Sequence, residues 1–243
     1  MGFRIVLALL ATPLLHAQWV KPAAKPDLNG PTPRTADGKP DLSGYWLSMV
    51  KYNTSLAIDL PPDAVKMTPW AQKLYDQRVA TNSAGDPENV CLPSGTPRII
   101  AAGGFPNRII QTPAMMVILY EIKMLYRTIF LDGRTLRKDA DPTWMGYSTG
   151  RWEGDAFVVR TTGFNDKTWL DDRGHPHSES LVVTERYRRP TYGKLFIDIT
   201  IDDPVAYEKP WTATEELTLD PNGDLYEYVC IENERDARHL VSK

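Results

Sequence analysis

The sequence is poor in cysteine and histidine, and it has no hydrophobic run of membrane-spanning length. Its 243 residues include two cysteines and four histidines. No apolar stretch reaches the roughly 20 residues that a transmembrane helix needs. The net charge of −3 at pH 7 argues against a dominant role in binding nucleic acid or anionic membranes. These absences predict a soluble protein with no nucleic-acid partner and no transmembrane segment.

Three common catalytic motifs are also absent. Neither Ser148 nor Ser178 lies in the Gly-x-Ser-x-Gly turn of α/β-hydrolases. The glycines in segment 101–104 are followed by no lysine, so no phosphate-binding loop is predicted. The two cysteines lie far apart in sequence, which makes redox chemistry with the protein's own thiols improbable. Serine hydrolysis, nucleotide binding and dithiol redox chemistry are therefore disfavoured.

The N-terminus has the pattern of an export signal followed by an extended arm. Arg4 precedes a short apolar run, Ile5 to Leu15, and Ala17 is a small residue suited to cleavage. We predict a signal peptide at 1–17 and a periplasmic or extracellular mature protein. Residues 18–41 are rich in proline among polar residues and predict an arm that wraps the domain or tethers it.

Cys91 and Cys230 have one possible pairing with each other. Because an exported protein meets an oxidising compartment, the sequence predicts a disulfide between them. The alternative is two buried free thiols.

Residues 42–243 predict a single β domain. One helix is indicated where Thr68 can cap, Pro69 suits the first turn, and Trp70, Ala71, Leu74 and Tyr75 form an apolar stripe that fades near 80–85. Eight strands are predicted at Arg108–Thr112, Met115–Glu121, Leu125–Leu131, Ala156–Thr162, Leu181–Arg188, Lys194–Ile201, Trp211–Leu219 and Leu225–Ile231. Short strands with tight turns favour an antiparallel sandwich or barrel. We predict an all-β fold, an antiparallel up-and-down β-barrel, because closure removes the exposed edges.

Charged residues interrupt the apolar faces of three predicted strands. Arg127 lies between Leu125 and Ile129, and Glu185 and Glu215 each share a side with apolar residues. A charge on such a face is costly unless it is paired. Arg127 could pair with Glu185 or Glu215 inside the barrel, or these side chains could form the polar lining of a ligand cavity.

Two sets of motifs carry a family resemblance. The Gly44-Tyr45-Trp46 tripeptide resembles the Gly-x-Trp opening of lipocalin-type barrels, in which a tryptophan packs across the barrel base. A longer signature comprises the segments 150–155 (GRWEGD), 162–166 (TGFND), 168–171 (TWLD), 174–178 (GHPHS) and 184–186 (TER). This signature resembles a family of exported, lipocalin-like bacterial proteins. The resemblance implies the fold and the compartment, and it assigns no catalytic residues.

The segment from Asp171 to Glu179 has the densest cluster of titratable side chains. Histidine transfers protons near neutral pH, and a carboxylate that orients it makes a recurring catalytic pair. We therefore expect His175 to act as general acid or base, oriented by Asp171, with His177 as a second proton carrier or ligand-binding group. Trp144, Tyr147 and Trp169 are expected to line an aromatic mouth, with Arg127 and Glu185 as its polar lining.

Three functions follow from these residues. The first is a lyase, isomerase or hydrolase that acts on a small organic molecule without an organic cofactor. The second is a non-catalytic carrier of a hydrophobic or aromatic ligand. The third is a metal-dependent barrel enzyme with His175, His177 and Glu179 as ligands, which alternate along an extended segment.

Overall fold

Nine strands form a closed barrel in the computed structural model, which describes residues 26–48, 55–100, 105–137, 139–230 and 232. The strands are β1 (Gly44–Ser48), β2 (Asn107–Gln111), β3 (Met115–Tyr120), β4 (Tyr126–Phe130), β5 (Tyr147–Glu153), β6 (Ala156–Thr162), β7 (Val182–Thr191), β8 (Lys194–Asp202) and β9 (Trp211–Leu219). Helix α1 spans Pro69–Ala80, and two 3-10 helices span Pro87–Val90 and Ile122–Met124. The predicted all-β barrel with one short helix is confirmed.

Each strand pairs with its sequence neighbour, and β1 pairs with β9 to close the barrel. The closing ladder places Trp46 opposite Leu219 and Ser48 opposite Leu217. All of these ladders are antiparallel except that between β4 and β5. There the strands run parallel, and they pair at Ile129–Ser148 and Phe130–Thr149. The prediction of an up-and-down barrel therefore holds with one parallel seam.

The alternation along the strands separates the barrel interior from its outer wall. On β8, Leu195, Ile197, Ile199 and Ile201 are buried, whereas the intervening residues are partly or fully exposed. The pleat turns successive side chains to opposite faces, so this pattern fills the interior with branched aliphatic side chains. Trp46 is fully buried, its indole N–H donates to the Leu42 carbonyl at 3.0 Å, and Arg189 lies over its ring.

Helix α1 begins where the sequence predicts it. The Thr68 hydroxyl accepts a hydrogen bond from the Ala71 backbone N–H at 3.4 Å, and Pro69 occupies the first turn. Ala71 is the one buried residue of the helix, so α1 lies on the surface of the molecule. No helix in the described ranges has the length and apolar character needed to cross a membrane.

Two strand assignments differ from the prediction, and β1 is indicated in the sequence only by the Gly-x-Trp resemblance. The predicted strand at Leu225–Ile231 is wrong, because residues 225–230 are irregular. β1 already pairs with β9, so the closed barrel offers no free edge to a further strand. β5 was not predicted, because the side chains on its inner side are Ser148, Gly150 and Trp152, which lack the usual aliphatic alternation.

The described part of the N-terminal arm lies against the barrel. The backbone N–H groups of Tyr192 and Gly193 donate to the carbonyls of Gly30 and Leu28, at 2.8 and 2.7 Å. Arg34 forms a bidentate ion pair with Asp155 in the β5–β6 turn. The predicted signal peptide, residues 18–25 of the arm and His239 lie outside the described residues.

Cys91 and Cys230 form the predicted disulfide. Their separation in sequence is 139 residues, so the bond closes most of the domain into one loop. Structural disulfides persist in oxidising compartments, and this bond therefore agrees with an exported protein.

Replacing both cysteines with serine is expected to lower the free energy of unfolding by about 3–5 kcal/mol, because a loop of this length then regains its freedom in the unfolded chain. Urea denaturation of the double variant measures the change. Reduced wild-type protein is the control and should match the variant. Equal denaturation midpoints for oxidised wild type and the double variant would contradict the expectation.

Candidate functional site

The connection between β6 and β7, residues 163–181, carries Asp171, His175 and His177, the three residues that the sequence predicts to be catalytic. Asp171, His175 and His177 are 1%, 5% and 3% exposed, so this loop has its own buried core. Leu170 donates its N–H to the His175 carbonyl at 2.9 Å, which closes a turn around Asp171. The Tyr207 hydroxyl donates to the Pro176 carbonyl at 2.8 Å and ties the loop to the segment between β8 and β9.

Asp171 and His175 form a hydrogen-bonded pair, hereafter the dyad. The Oδ2 atom of Asp171 lies 2.6 Å from Nδ1 of His175 and accepts the Leu56 backbone N–H at 3.0 Å. Oδ1 accepts the N–H groups of Gly174 and His175 at 3.1 and 3.2 Å. The carboxylate thus has four N–H partners, which is the arrangement that an ionised group requires when it is buried.

The charge of Asp171 fixes the form of the imidazole. Burial raises the pKa of Asp171, but its electrostatic attraction to His175 and its hydrogen bonds with His175 and the Leu56 N–H outweigh burial and hold that pKa below its usual range. An ionised carboxylate can only accept, so Nδ1 of His175 carries a proton. In the neutral ring Nε2 then keeps its lone pair, and no described residue hydrogen-bonds to that atom.

The ring of His175 lies in the wall of a cleft of about 400 Å³, hereafter the dyad cleft. Its ring centre is 4.7 Å from that of Tyr75 on α1 and 6.1 Å from that of Trp211 on β9. Residues between Ser55 and Met67 form one side of the dyad cleft, and Gln72, Tyr75 and Arg173 line it beside His175. The dyad therefore lies at one end of the barrel, between the surface helix and the first residue of β9.

His177 has both ring nitrogens engaged. Nδ1 donates to the Ser178 carbonyl at 3.1 Å, so Nε2 accepts from the Thr168 hydroxyl at 2.6 Å. Burial lowers the pKa of His177, which keeps the ring neutral. Its geometry is that of a side chain that holds the loop together, so the expected second proton carrier has no free nitrogen here.

Trp169 is buried beneath an arginine. The guanidinium of Arg78, on α1, lies 4.4 Å from the Trp169 ring centre and donates to the Gly174 carbonyl at 3.0 Å. Burial lowers the pKa of Arg78 to about 10, so it remains charged at neutral pH. Trp169 thus supports the turn that carries His175 and does not line the dyad cleft.

The hypothesis of a metal site at His175, His177 and Glu179 gains no support. Glu179 is exposed, whereas both histidines are buried. Among the residues that the structure describes, no three His, Cys, Asp or Glu side chains are grouped to hold a metal ion.

Arg98 holds the backbone next to the dyad in place, a role that the sequence did not reveal. Its guanidinium donates to both oxygens of Asp86, at 2.8 and 2.7 Å, and to Asp172 at 2.5 Å. Asp172 directly follows Asp171, so this buried cation fixes the backbone of the dyad. Arg98 and Asp172 are 74 residues apart, and no local spacing could have joined them.

Arg127 and Glu185 pair inside the barrel, as one of the sequence alternatives proposed. The guanidinium donates to both carboxylate oxygens at 2.9 and 2.7 Å. It also donates to the hydroxyls of Ser148 and Thr161 at 2.8 and 2.6 Å. The Tyr187 hydroxyl donates to Glu185 at 2.6 Å. Both charged groups of the pair are already hydrogen-bonded within this network. A ligand could bind either charge only by breaking the Arg127–Glu185 ion pair.

Glu215 on β9 places a second carboxyl group in the barrel interior, beside that of Glu185. It is fully buried, and neither carboxyl oxygen has a hydrogen-bond partner among the described residues. The buried Tyr120 hydroxyl also lacks a partner there. Burial, and then the charge of Glu185, raises the pKa of Glu215 to about 8. The Glu215 carboxyl is therefore neutral at pH 7.

Trp144 and Tyr147 lie apart from the dyad, in a groove at the parallel seam. This seam groove has a volume of about 470 Å³, and its floor includes Arg127 and Ser148. Its walls are formed largely by Tyr126, Phe130, Trp144, Met145 and Tyr147. The single site expected from the sequence is thus divided among the dyad cleft, the interior network and the seam groove.

Sequence reasoning missed the cleft residues Tyr75 and Arg173. Tyr75 was assigned only to the apolar stripe of α1, and Arg173 lies within the titratable segment but was given no role. Tyr75 lies 100 positions before His175, and only the packing of α1 beside the loop brings the two rings together.

Glu215→Gln is expected to change how stability depends on pH. Between pH 4.5 and about 8 the folded chain holds a proton on Glu215 that the unfolded chain releases. Wild-type stability therefore falls with rising pH in this window, by up to about 1.4 kcal/mol per pH unit.

Glutamine has no proton to lose, so the variant should match wild type near pH 5 and exceed it by a few kcal/mol near pH 9. Urea denaturation at several pH values measures the difference. Glu179→Gln, on the surface, is the control. A constant difference between Glu215→Gln and wild type across this range would refute the raised pKa.

Arg127→Leu is expected to lower the free energy of unfolding by about 3–5 kcal/mol, because it leaves the Glu185 charge buried and unpaired. The double variant Arg127→Leu/Glu185→Leu removes both charges and should recover most of the loss. Denaturation of the two variants measures this. A double variant no more stable than the single variant would show that packing, and not charge pairing, dominates at this site.

No protein-family model matches the chain, and no curated protein matches it.

Proposed function

We propose that the protein is an exported enzyme that performs acid–base chemistry without a redox step on a small organic molecule bound in the dyad cleft. His175 is the proton carrier, and Asp171 is its positioning residue. The reaction class is that of a lyase, isomerase or hydrolase.

The observation that carries this proposal is the fixed orientation of the His175 ring. Asp171 holds Nδ1 at 2.6 Å, so the basic Nε2 atom is the one left for a substrate. The ring also lines an open cleft. A histidine with one nitrogen held by a carboxylate and the other free is suited to accept and return a proton, which accelerates reactions by about 10²–10⁴-fold.

The surroundings favour proton transfer at this ring. When His175 accepts a proton, the adjacent Asp171 carboxylate stabilises the imidazolium. Asp171 is itself locked by the Leu56 and Gly174 N–H groups. Little reorganisation is then needed as charge develops, which is the condition for electrostatic catalysis.

Two features support an exported, lipocalin-like identity. The Cys91–Cys230 disulfide suits an oxidising compartment, as the predicted signal peptide at 1–17 does. Trp46 packs beneath Arg189 where β1 closes on β9, which matches the base tryptophan of the Gly-x-Trp resemblance.

The second candidate function is a non-catalytic carrier, and the seam groove favours it. Tyr126 is 69% exposed there, and aromatic and methionine side chains surround about 470 Å³. Exposed aromatic surface of this kind is typical of binding sites for apolar molecules. In this reading the dyad holds the loop together and carries out no chemistry.

Diethyl pyrocarbonate labelling and a substrate panel test the catalytic proposal. We expect His175 to be carbethoxylated at its free Nε2 and His177 to be protected, as read by peptide mass mapping. In a panel of esters, epoxides and hydroxy acids, any turnover should fall about 10²-fold or more in His175→Gln.

His177→Gln is the matched control, since it removes a buried imidazole from the same loop. It should lower stability and keep turnover in the fraction that folds. Asp171→Asn should slow turnover while leaving the cleft intact. Turnover that survives in His175→Gln would exclude the dyad, and ligand binding without turnover in wild type would favour the carrier.

A further inference from the structure

We propose that the dyad cleft binds small organic carboxylates and that Arg173 receives the carboxylate group. This inference rests on the proposed function and names the substrate class of the same site.

The dyad cleft combines an apolar side with a polar one. Ile58, Leu60, Val65 and Met67 line one side, and Gln72, Tyr75, Arg173 and His175 line the other. A volume of about 400 Å³ lies in the range of small-molecule sites, where apolar walls hold the body of a ligand and few polar groups orient it. The lining thus suits a molecule with an apolar body and one polar head.

The charge of the lining residues indicates which charge the polar head of the ligand should carry. Arg173 is exposed and has no ion pair or hydrogen bond with any described residue, and no Asp or Glu is among the described lining residues. Arg186 and Arg188, which also lie on the outer surface, are by contrast paired with Glu153 and Asp198. A guanidinium with no ion pair among the described residues, in a cleft whose described lining contains no acid, favours an anion, and its planar fork fits a carboxylate.

Two carboxylates near the dyad cleft, those of Asp171 and Asp76, form no ion pair with Arg173. Asp171 lies behind the imidazole and is saturated by N–H donors. Asp76 accepts the side-chain amide of Gln72 at 2.8 Å. Burial, and then the charge of Asp171, raises the pKa of Tyr75, so its hydroxyl keeps the proton and can donate. Tyr75 and Arg173 therefore offer donors to an incoming anion.

Gly174 brings the cation and the base into one cleft. Its φ of 94° lies in the left-handed region, which allows the chain to turn between Arg173 and His175. A Cβ atom at this position would lie 2.9 Å from the Arg78 side chain, so the turn is also packed tightly from behind. The two residues can act on neighbouring parts of one bound molecule.

Binding of matched carboxylate and amide pairs tests the inference. A series from acetate to 4-phenylbutyrate, each with its primary amide, is titrated into the full chain by calorimetry at low salt. We expect at least one carboxylate to bind about tenfold or more tightly than its amide, since charge-assisted hydrogen bonds are stronger than those to a neutral amide. The preference should weaken at high salt, because Arg173 is exposed.

Variants locate the effect. Arg173→Gln should abolish the preference for the carboxylate, and Arg173→Lys should retain part of it. Arg160→Gln is the matched control, because Arg160 is also exposed and lies on the outer face of β6, away from the dyad cleft. The inference is overturned if every carboxylate binds like its amide or not at all, or if Arg173→Gln binds like wild type.

The two proposals fail in different ways. If His175 reacts with diethyl pyrocarbonate and supports turnover but no carboxylate is preferred, the substrate class is wrong and the dyad stands. If carboxylates are preferred but His175→Gln keeps turnover, the binding site stands and the catalytic role falls. Protection of His175 from the reagent by the bound carboxylate would place both in the same cleft.

Discussion

Closure of the barrel through the β1–β9 ladder is the constraint on which the rest of the structure depends. Once Trp46 faces Leu219, every strand has two partners and no edge remains for further pairing. The long connections must then satisfy their backbone groups by other means. The loop at 163–181 does so by folding around the carboxylate of Asp171, and it becomes the covering layer at one end of the barrel.

This division places the dyad outside the barrel interior. The interior already contains a closed network in which Arg127 is fully engaged with Glu185, Ser148 and Thr161. The loop, by contrast, presents an imidazole whose Nδ1 is held by Asp171 and whose Nε2 has no hydrogen-bond partner among the described residues. A rigid barrel that positions a functional loop is a common solution, because loops can vary without altering the scaffold.

The sequence predicted those features that depend on local patterns. The alternation of apolar and polar residues predicted which β8 side chains are buried. The free-energy cost of burying an unpaired charge made the Arg127–Glu185 pair one of the predicted alternatives. The spacing of Asp171 and His175 likewise predicted their contact. The sequence could not show that Trp144 lies apart from the dyad or that Tyr75 lies beside the dyad. Those positions depend on how the loops and α1 pack on a closed barrel. A strand was also predicted at 225–231 from composition alone, where closure leaves it no partner.

The parallel seam between β4 and β5 has a consequence for how the barrel moves. Across it, pairing is confined to Ile129–Ser148 and Phe130–Thr149, whereas the β5–β6 ladder runs the full length from Tyr147 to Glu153. Local opening concentrates where few backbone hydrogen bonds must break. Amide protons at this seam should thus exchange fastest within the wall. We expect the barrel wall to open locally at this seam while its antiparallel ladders, and the loop that holds the dyad, remain intact.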